Sequence, residues 1–325
     1  MLVDLKGKKK IAYYIILFLI TKLLQPFIHM TLLMVNLMYT KSLVVCLSAY
    51  FFSILFGYLS LVYFDLGHLW LDILLAHTIA TLVIFIFSII YKNSSLYDPF
   101  WSVIPFPIFI YLIIYPEVDE SSKLRFLLIG IPVTYYVIRL TWNWLKTWPG
   151  LEKEDFRYIN LYQTFGRFKL FINFFGIHLF PTLMVNICLF PLYFAITIND
   201  QPASFIDWFF CIFTILAVLL EHVSDEQMHS FKADKRNASI TMNKGLWKYS
   251  RHPNYLGEIL FWFGLFGFSL SQSFDNFWLI ICPLSMLAMF IFASIPMMDN
   301  RSLERRPDYE EYMKKTPALI PSLFK

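Results

Sequence analysis

The chain has 325 residues, of which 58% are hydrophobic, 19% aromatic and 15% charged, with a formal net charge of +4. Its mean hydropathy is +0.58, which lies far from the norm of a soluble domain. That composition leaves no room for a soluble domain of any size, so chemistry must sit between membrane helices or on the loops that cap them. The modest positive charge is read as membrane topology and anionic ligands, and nucleic acid is not an expected partner.

Apolar runs near the ~20 residues needed to cross a bilayer recur from end to end. They fall at about 11–38, 43–64, 69–91, 100–116, 124–145, 169–198, 205–222, 255–270 and 277–296. The expected fold is therefore all-α: a polytopic transmembrane bundle of about 7–9 helices embedded in membrane lipids. Lys6, Lys8, Lys9 and Lys10 precede the first run, which has no small-residue cleavage site and is read as an uncleaved membrane helix. The run at 100–116 is short and holds Pro105 and Pro107. The run at 169–198 is long, and Pro181 and Pro191 predict a kink or a split. The four cysteines stand singly inside apolar runs and are read as buried small side chains. Residues 1–91 group as N-terminal membrane helices, and residues 92–325 as the domain that carries the chemistry.

Three long loops, 146–169, 224–251 and 299–325, are rich in Lys and Arg. Two helices separate each neighbouring pair, so all three share one side, which the positive-inside rule makes cytoplasmic. The loop at 92–99 joins them. Three candidate helices separate it from the basic N-terminus, so either one of the three does not span or the N-terminus lies outside. Any cofactor with phosphates is expected on this polar face.

Its polar residues form several groups. Asp98 and Pro99 suit a helix start, with Asp98 as cap and Pro99 at the first helical position. Arg139 and Asn143 share a helix face one turn apart, and Tyr136 lies one turn deeper, which reads as a graded wall with phenol below guanidinium. Glu221, Asp225 and His229 recur at i, i+4 and i+8 on a helix leaving the membrane. Such a line can hold a metal, but a solvated seam, or donors and acceptors for an organic cofactor, is the preferred reading, and no metal is expected. The seven histidines are too dispersed for a membrane di-iron centre. Lys232, Lys235, Arg236, Lys244, Lys248 and Arg251 crowd the segment that leads to Pro253 in Ser250-Arg-His-Pro-Asn-Tyr-Leu-Gly-Glu258. Pro253 suits the first turn of a helix whose free N–H groups and dipole, with Arg251 and His252 beside them, would favour an anion. Asn254 and Glu258 share a face of that helix.

From about Tyr97 onward the chain resembles the steroid 5α-reductase-like membrane proteins. The motifs are Asp98-Pro-Phe-Trp101, Tyr136-x-x-Arg139, Glu154-Asp155-x-Arg157-Tyr158, Glu221-x-x-x-Asp225-x-Gln227, the segment ending at Glu258, and Arg306-Pro-Asp-Tyr309 followed by Tyr312-x-x-x-Thr316-Pro-Ala-Leu-Ile-Pro321. The resemblance implies about seven core membrane helices, with NADPH entering from the cytoplasmic side among the C-terminal helices. The implied activity is hydride transfer to a conjugated double bond of a lipid or sterol-like substrate. It implies Tyr136 as the group that hydrogen-bonds the substrate carbonyl, here with Asp98 as the nearest carboxyl to assist it. The implied cofactor-binding residues are Arg139, Asp225, Asn254, Tyr255 and Glu258; Asn143, by its spacing from Arg139, and Arg251 and His252, beside the helix start at Pro253, are grouped with them as cofactor-binding candidates. The Gln-Glu pair of the steroid enzymes is missing, which puts a steroid substrate in doubt. An endoplasmic reticulum membrane is implied for a eukaryotic chain and an inner membrane for a bacterial one.

Two other readings use the same residues. Isoprenylcysteine carboxyl methyltransferase-like enzymes share the Arg-His-Pro-x-Tyr-x-Gly segment and use it for S-adenosylmethionine. They also carry a Glu-Glu pair after the last helix, where this chain reads Pro296-Met297-Met298-Asp299. A non-catalytic lipid-binding membrane protein is the third reading, against which stands the number of polar groups on one face.

Overall fold

The computed structural model describes residues 37–115, 123–197 and 202–321. The expected first helix at 11–38 lies almost wholly outside the described residues. Among those described there is no strand, and the segments are helical as composition predicts. Seven are long and apolar enough to cross a membrane: Tyr39–Tyr63, Leu69–Ile90, Ser94–Ile114, Lys123–Thr147, Phe156–Thr197, Phe205–Ala233 and Phe274–Arg305. The protein is a multi-pass integral membrane protein.

In chain order, α1 is Leu37–Tyr63 and α2 is Leu69–Ile90. The short run at 100–116 is lengthened at its start by the 3-10 turn Ser94–Tyr97 and one helical turn at Phe100–Val103, which lead into α3, Pro105–Ile114. α4 is Lys123–Thr147 and α5 is Phe156–Phe165. The long run at 169–198 is not split at its prolines. It passes through a π-helical stretch at Ile172–Leu179 into α6, Phe180–Thr197, which keeps Pro191 inside it. A tertiary bundle re-satisfies the backbone groups such a residue frees.

α7, Phe205–Ala233, starts on a capping box, in which Ser204 Oγ accepts from Ile206 N and Ser204 N donates to Asp207. α8 is Pro253–Leu270, with Pro253 at its first turn as the sequence predicts. The C-terminal region continues through α9, Ile281–Met289, a π-helical stretch at Phe290–Ser294, and α10, Ile295–Arg305, to the short α11, Tyr309–Lys315.

α7 and α8 lie backbone to backbone. A Cβ added at Gly257 would stand 2.6 Å from Glu221 Cβ and 2.7 Å from Glu221 N, and one at Gly264 would collide with Thr214 Oγ1. Small residues permit this approach where no hydrophobic drive operates between helices. α8 buries residues on every side, from Pro253 and Gly257 through Trp262 to Ser269.

At the end away from the polar face, Arg125 is wholly buried, and its Nε donates to Asp207 at 2.9 Å. Ser271 donates to the same carboxylate at 2.6 Å. This clamp joins the ends of α4, α7 and α8. Sequence reading passed over it, because the pair joins two helices across 82 residues of chain, and no local spacing links Arg125 to Asp207.

Candidate functional site

α4, α7 and α8 bring the sequence-predicted residues together at one end of the bundle. Arg139, on α4 and buried, reaches two carboxylates of α7. Its Nη1 lies 2.7 Å from Glu221 Oε1, and its Nη2 bonds Asp225 Oδ2. Asn143, one turn on, donates from Nδ2 to the same Asp225 oxygen at 2.9 Å. The expected graded wall is therefore present, and the i, i+4 acidic pair of α7 faces the cation of α4. A buried guanidinium with two carboxylates holds its geometry because breaking one contact strands a charge in a dry interior.

One turn deeper, the buried Tyr136 hydroxyl donates to Glu258 Oε1 at 2.7 Å. Trp262 Nε1 donates to that same oxygen at 2.7 Å. Glu258 Oε2 has no hydrogen-bond partner. The Tyr136 ring stacks on Phe261, with centroids 3.8 Å apart and planes at 4°. Tyr136, Phe261 and Trp262 are all sealed from solvent. The carboxyl at the phenol is therefore Glu258 on α8.

Asp98 lies elsewhere in the site. It accepts from the Tyr158 hydroxyl and faces Arg157 at 3.5 Å. Its backbone is helical and no side-chain cap is made by it or by Pro99; Asn93 caps the preceding turn by accepting from Ser95 N. Asp98 borders a cavity of about 380 Å³ with Trp101, Asn143, Trp144, Asp155 and Arg157. Asn143 Oδ1, Trp144 Nε1 and Trp148 Nε1 are buried there without partners.

A second polar cavity, of about 260 Å³, opens where α8 begins. Asp225, His229 and Lys232 of α7, Asn254 and Tyr255 of α8, and Arg301, Arg305 and Arg306 line it. His229 Nδ1, Asn254 Oδ1 and Arg306 Nε have no partner. The hydrogen bond from Asn143 to Asp225 joins a residue lining one cavity to a residue lining the other, so the two are neighbours.

Arg251 and His252 line the second cavity too, but their polar groups hold the protein's own tail. Arg251 Nη2 lies 2.8 Å from Asp299 Oδ2, and its Nη1 donates to Thr316 O at 2.7 Å. His252 Nε2 lies 2.9 Å from Asp299 Oδ1. Their backbone N–H groups donate to Pro317 O and Ala318 O at 2.9 and 3.1 Å. The Tyr309 hydroxyl also donates to Asp299. Burial, reinforced by that hydrogen bond and the Asp299 charge, pushes the Tyr309 phenol up, so it remains a donor. The His252 ring stacks on Tyr255, with centroids 5.1 Å apart. These contacts position the entrance of α8.

Sequence reasoning missed Arg301, Arg305 and Trp262. The i, i+4 spacing of Arg301 with Arg305, on a helix leaving the membrane, was the available signal. The same spacing links Glu258 to Trp262.

Residues 84–316 match the family described as "Protein of unknown function (DUF1295)". A curated relative from Schizosaccharomyces pombe, "Uncharacterized protein C594.04c", is 27% identical over 257 residues, covering 71% of this chain and 74% of the relative. No solved structure matches.

Proposed function

The chain belongs to the DUF1295 family, and from that premise we propose that it is a membrane-embedded, NADPH-dependent reductase acting on a conjugated double bond of a lipid or sterol-like substrate. The reading takes this family as a branch of the steroid 5α-reductase-like proteins, and places the catalytic domain at 92–325. The endoplasmic reticulum is its membrane in a eukaryote, and the inner membrane in a bacterium.

One observation carries the proposal. A dry phenol–carboxyl pair, Tyr136 with Glu258, sits one turn along α8 from Asn254, which lines a cavity whose buried polar atoms lack partners and whose rim is cationic. Unpaired buried groups are costly, and at a cleft they favour a polar ligand. Lys232, Arg301, Arg305 and Arg306 suit phosphates, while Asn254 and Tyr255 suit amide and hydroxyl groups. When bound, NADPH supplies the hydride.

The chain's own residues do the rest. Arg139, paired with Glu221 and Asp225, fixes the position of Asp225, which lines the cofactor cavity. Tyr136 supplies a hydrogen bond to the oxygen on which charge develops. Glu258 orients the phenol through Oε1, and its Oε2 can hold or pass a proton. Phe261 and Trp262 exclude water from the pair. Asp98, bound to Tyr158, acts at the neighbouring cavity and not on Tyr136. Arg251 and His252 position α8 against the tail.

S-adenosylmethionine fits the same place less well. Its sulfonium is positive, and five cationic side chains, Lys232, Arg251, Arg301, Arg305 and Arg306, line the cavity against one carboxylate, Asp225. Thermal unfolding of the purified protein, titrated with NADPH and separately with S-adenosylmethionine, tests the choice. A native-state ligand at about 100 times its Kd adds roughly 2.7 kcal/mol and raises Tm. NADPH is expected to raise Tm; a rise with S-adenosylmethionine alone would sink the reductase reading.

A further inference from the structure

A groove of about 350 Å³ lies between α1, α2 and α3. It is lined by Ile54, Ile73, Ile108 and Tyr111, with two buried polar side chains, Ser53 and His77, in its wall. Ser53 Oγ and His77 Nε2 have no hydrogen-bond partner. The Asn186 amide nitrogen lies 3.3 Å from His77 Nδ1. An amide N–H only donates, so Nδ1 accepts and the ring proton stands on Nε2. The groove wall thus offers one N–H donor and one hydroxyl able to donate or accept.

The depth of these two groups selects the ligand. His77 lies eight residues inside the Leu69 end of α2, about 12 Å at the helical rise. It lies thirteen residues, about 20 Å, from the Ile90 end, where the polar face begins. Ser53, ten residues from the Tyr63 end of α1, sits at a similar depth of about 15 Å. The groove opens sideways toward lipid, where Ile54 and Ile114 are exposed. A charged headgroup is expensive at that depth, whereas an unpaired N–H there calls for an acceptor.

We propose that this groove binds a neutral lipid carrying a single oxygen function, an alcohol or a ketone, whose oxygen accepts from His77 Nε2–H. A hydroxyl on the lipid would also bond Ser53 Oγ. The site is separate from the cofactor cavities and does not depend on the identity of the cofactor.

Photolabelling of the full chain in phosphatidylcholine vesicles tests this. Three diazirine probes are compared: a sterol alcohol, a long-chain ketone and a phosphatidylcholine. Either neutral probe should label residues within 53–58 or 104–114 more strongly than the phosphatidylcholine probe. His77→Phe should cut that labelling about tenfold, the worth of one buried hydrogen bond. Ser53→Ala removes a hydroxyl that bonds nothing in the protein, so it leaves the fold intact; it should leave ketone labelling in place and cut alcohol labelling about threefold. Equal labelling by phosphatidylcholine, labelling by no probe, or neutral labelling that survives both substitutions overturns the proposal. The NADPH-dependent Tm shift, read on the same samples, should be the same in both variants, so failure of the cofactor reading is seen separately.

Discussion

At Tyr136, two donors converge on one oxygen of Glu258, and the other oxygen stays unpaired. If the phenol stabilises charge on the substrate oxygen, Tyr136→Phe should slow turnover by about 10²–10⁴-fold and leave NADPH affinity unchanged. Single-turnover rates together with a binding titration check both halves. Asn254 lines the cavity at the start of α8 with an unpartnered Oδ1. Asn254→Ala should raise the NADPH Kd about tenfold, read by equilibrium titration. Arg139 is buried between Glu221 and Asp225. Arg139→Ala strands two carboxylates and should cost about 3–5 kcal/mol of stability, seen as a fall in Tm without ligand.

At the scale of elements, the site depends on how closely α7 and α8 approach. α7 supplies Glu221 and Asp225, and α8 supplies Asn254, Glu258 and Trp262. Gly257 sets their separation, because any Cβ there meets the Glu221 backbone. Backbone cannot rotate aside as a flexible side-chain end can. Gly257→Val should therefore lower stability by about 1–3 kcal/mol and weaken NADPH binding as well, since the shift moves Glu221 away from Arg139. A Tm lowered with NADPH affinity intact would show that the site does not depend on this packing. The tail is a second positioning element: Asp299 gathers Arg251, His252 and Tyr309 and fastens residues 316–318 across the entrance of α8.

For the whole molecule, the proposed function requires the cavity at the start of α8 to face the cytoplasm, the side to which the positive-inside rule assigns the basic loops. Cys46, Cys188, Cys211 and Cys282 are buried, so they form a quiet background for a membrane-impermeant maleimide. In sealed membranes labelled from the non-cytoplasmic side, Asp65→Cys, in the exposed turn between α1 and α2, should react, and Asn243→Cys, on an exposed loop, should not. The reverse pattern would invert the topology and remove the cavity from the cytoplasmic NADPH pool.

Membrane class, most helix positions, the start of α8 at Pro253 and the polar face were legible in the chain itself. Each rests on local signals: apolar run length, a proline's fixed φ, and the side on which Lys and Arg collect. Spacing along single helices also grouped Tyr136 with Arg139 and Glu221 with Asp225. Which helix faces which is not a local property, so only the tertiary structure decided the partners. It put Glu258 at the phenol and sent Asp98 to Tyr158 and Arg157. It turned Arg251 and His252 onto Asp299, and added Arg301, Arg305 and Arg306 to the cavity rim. It also set His77 and Ser53 at one depth in a groove that neither helix forms alone. Close packing between helices, set by residues such as Gly257, makes these choices.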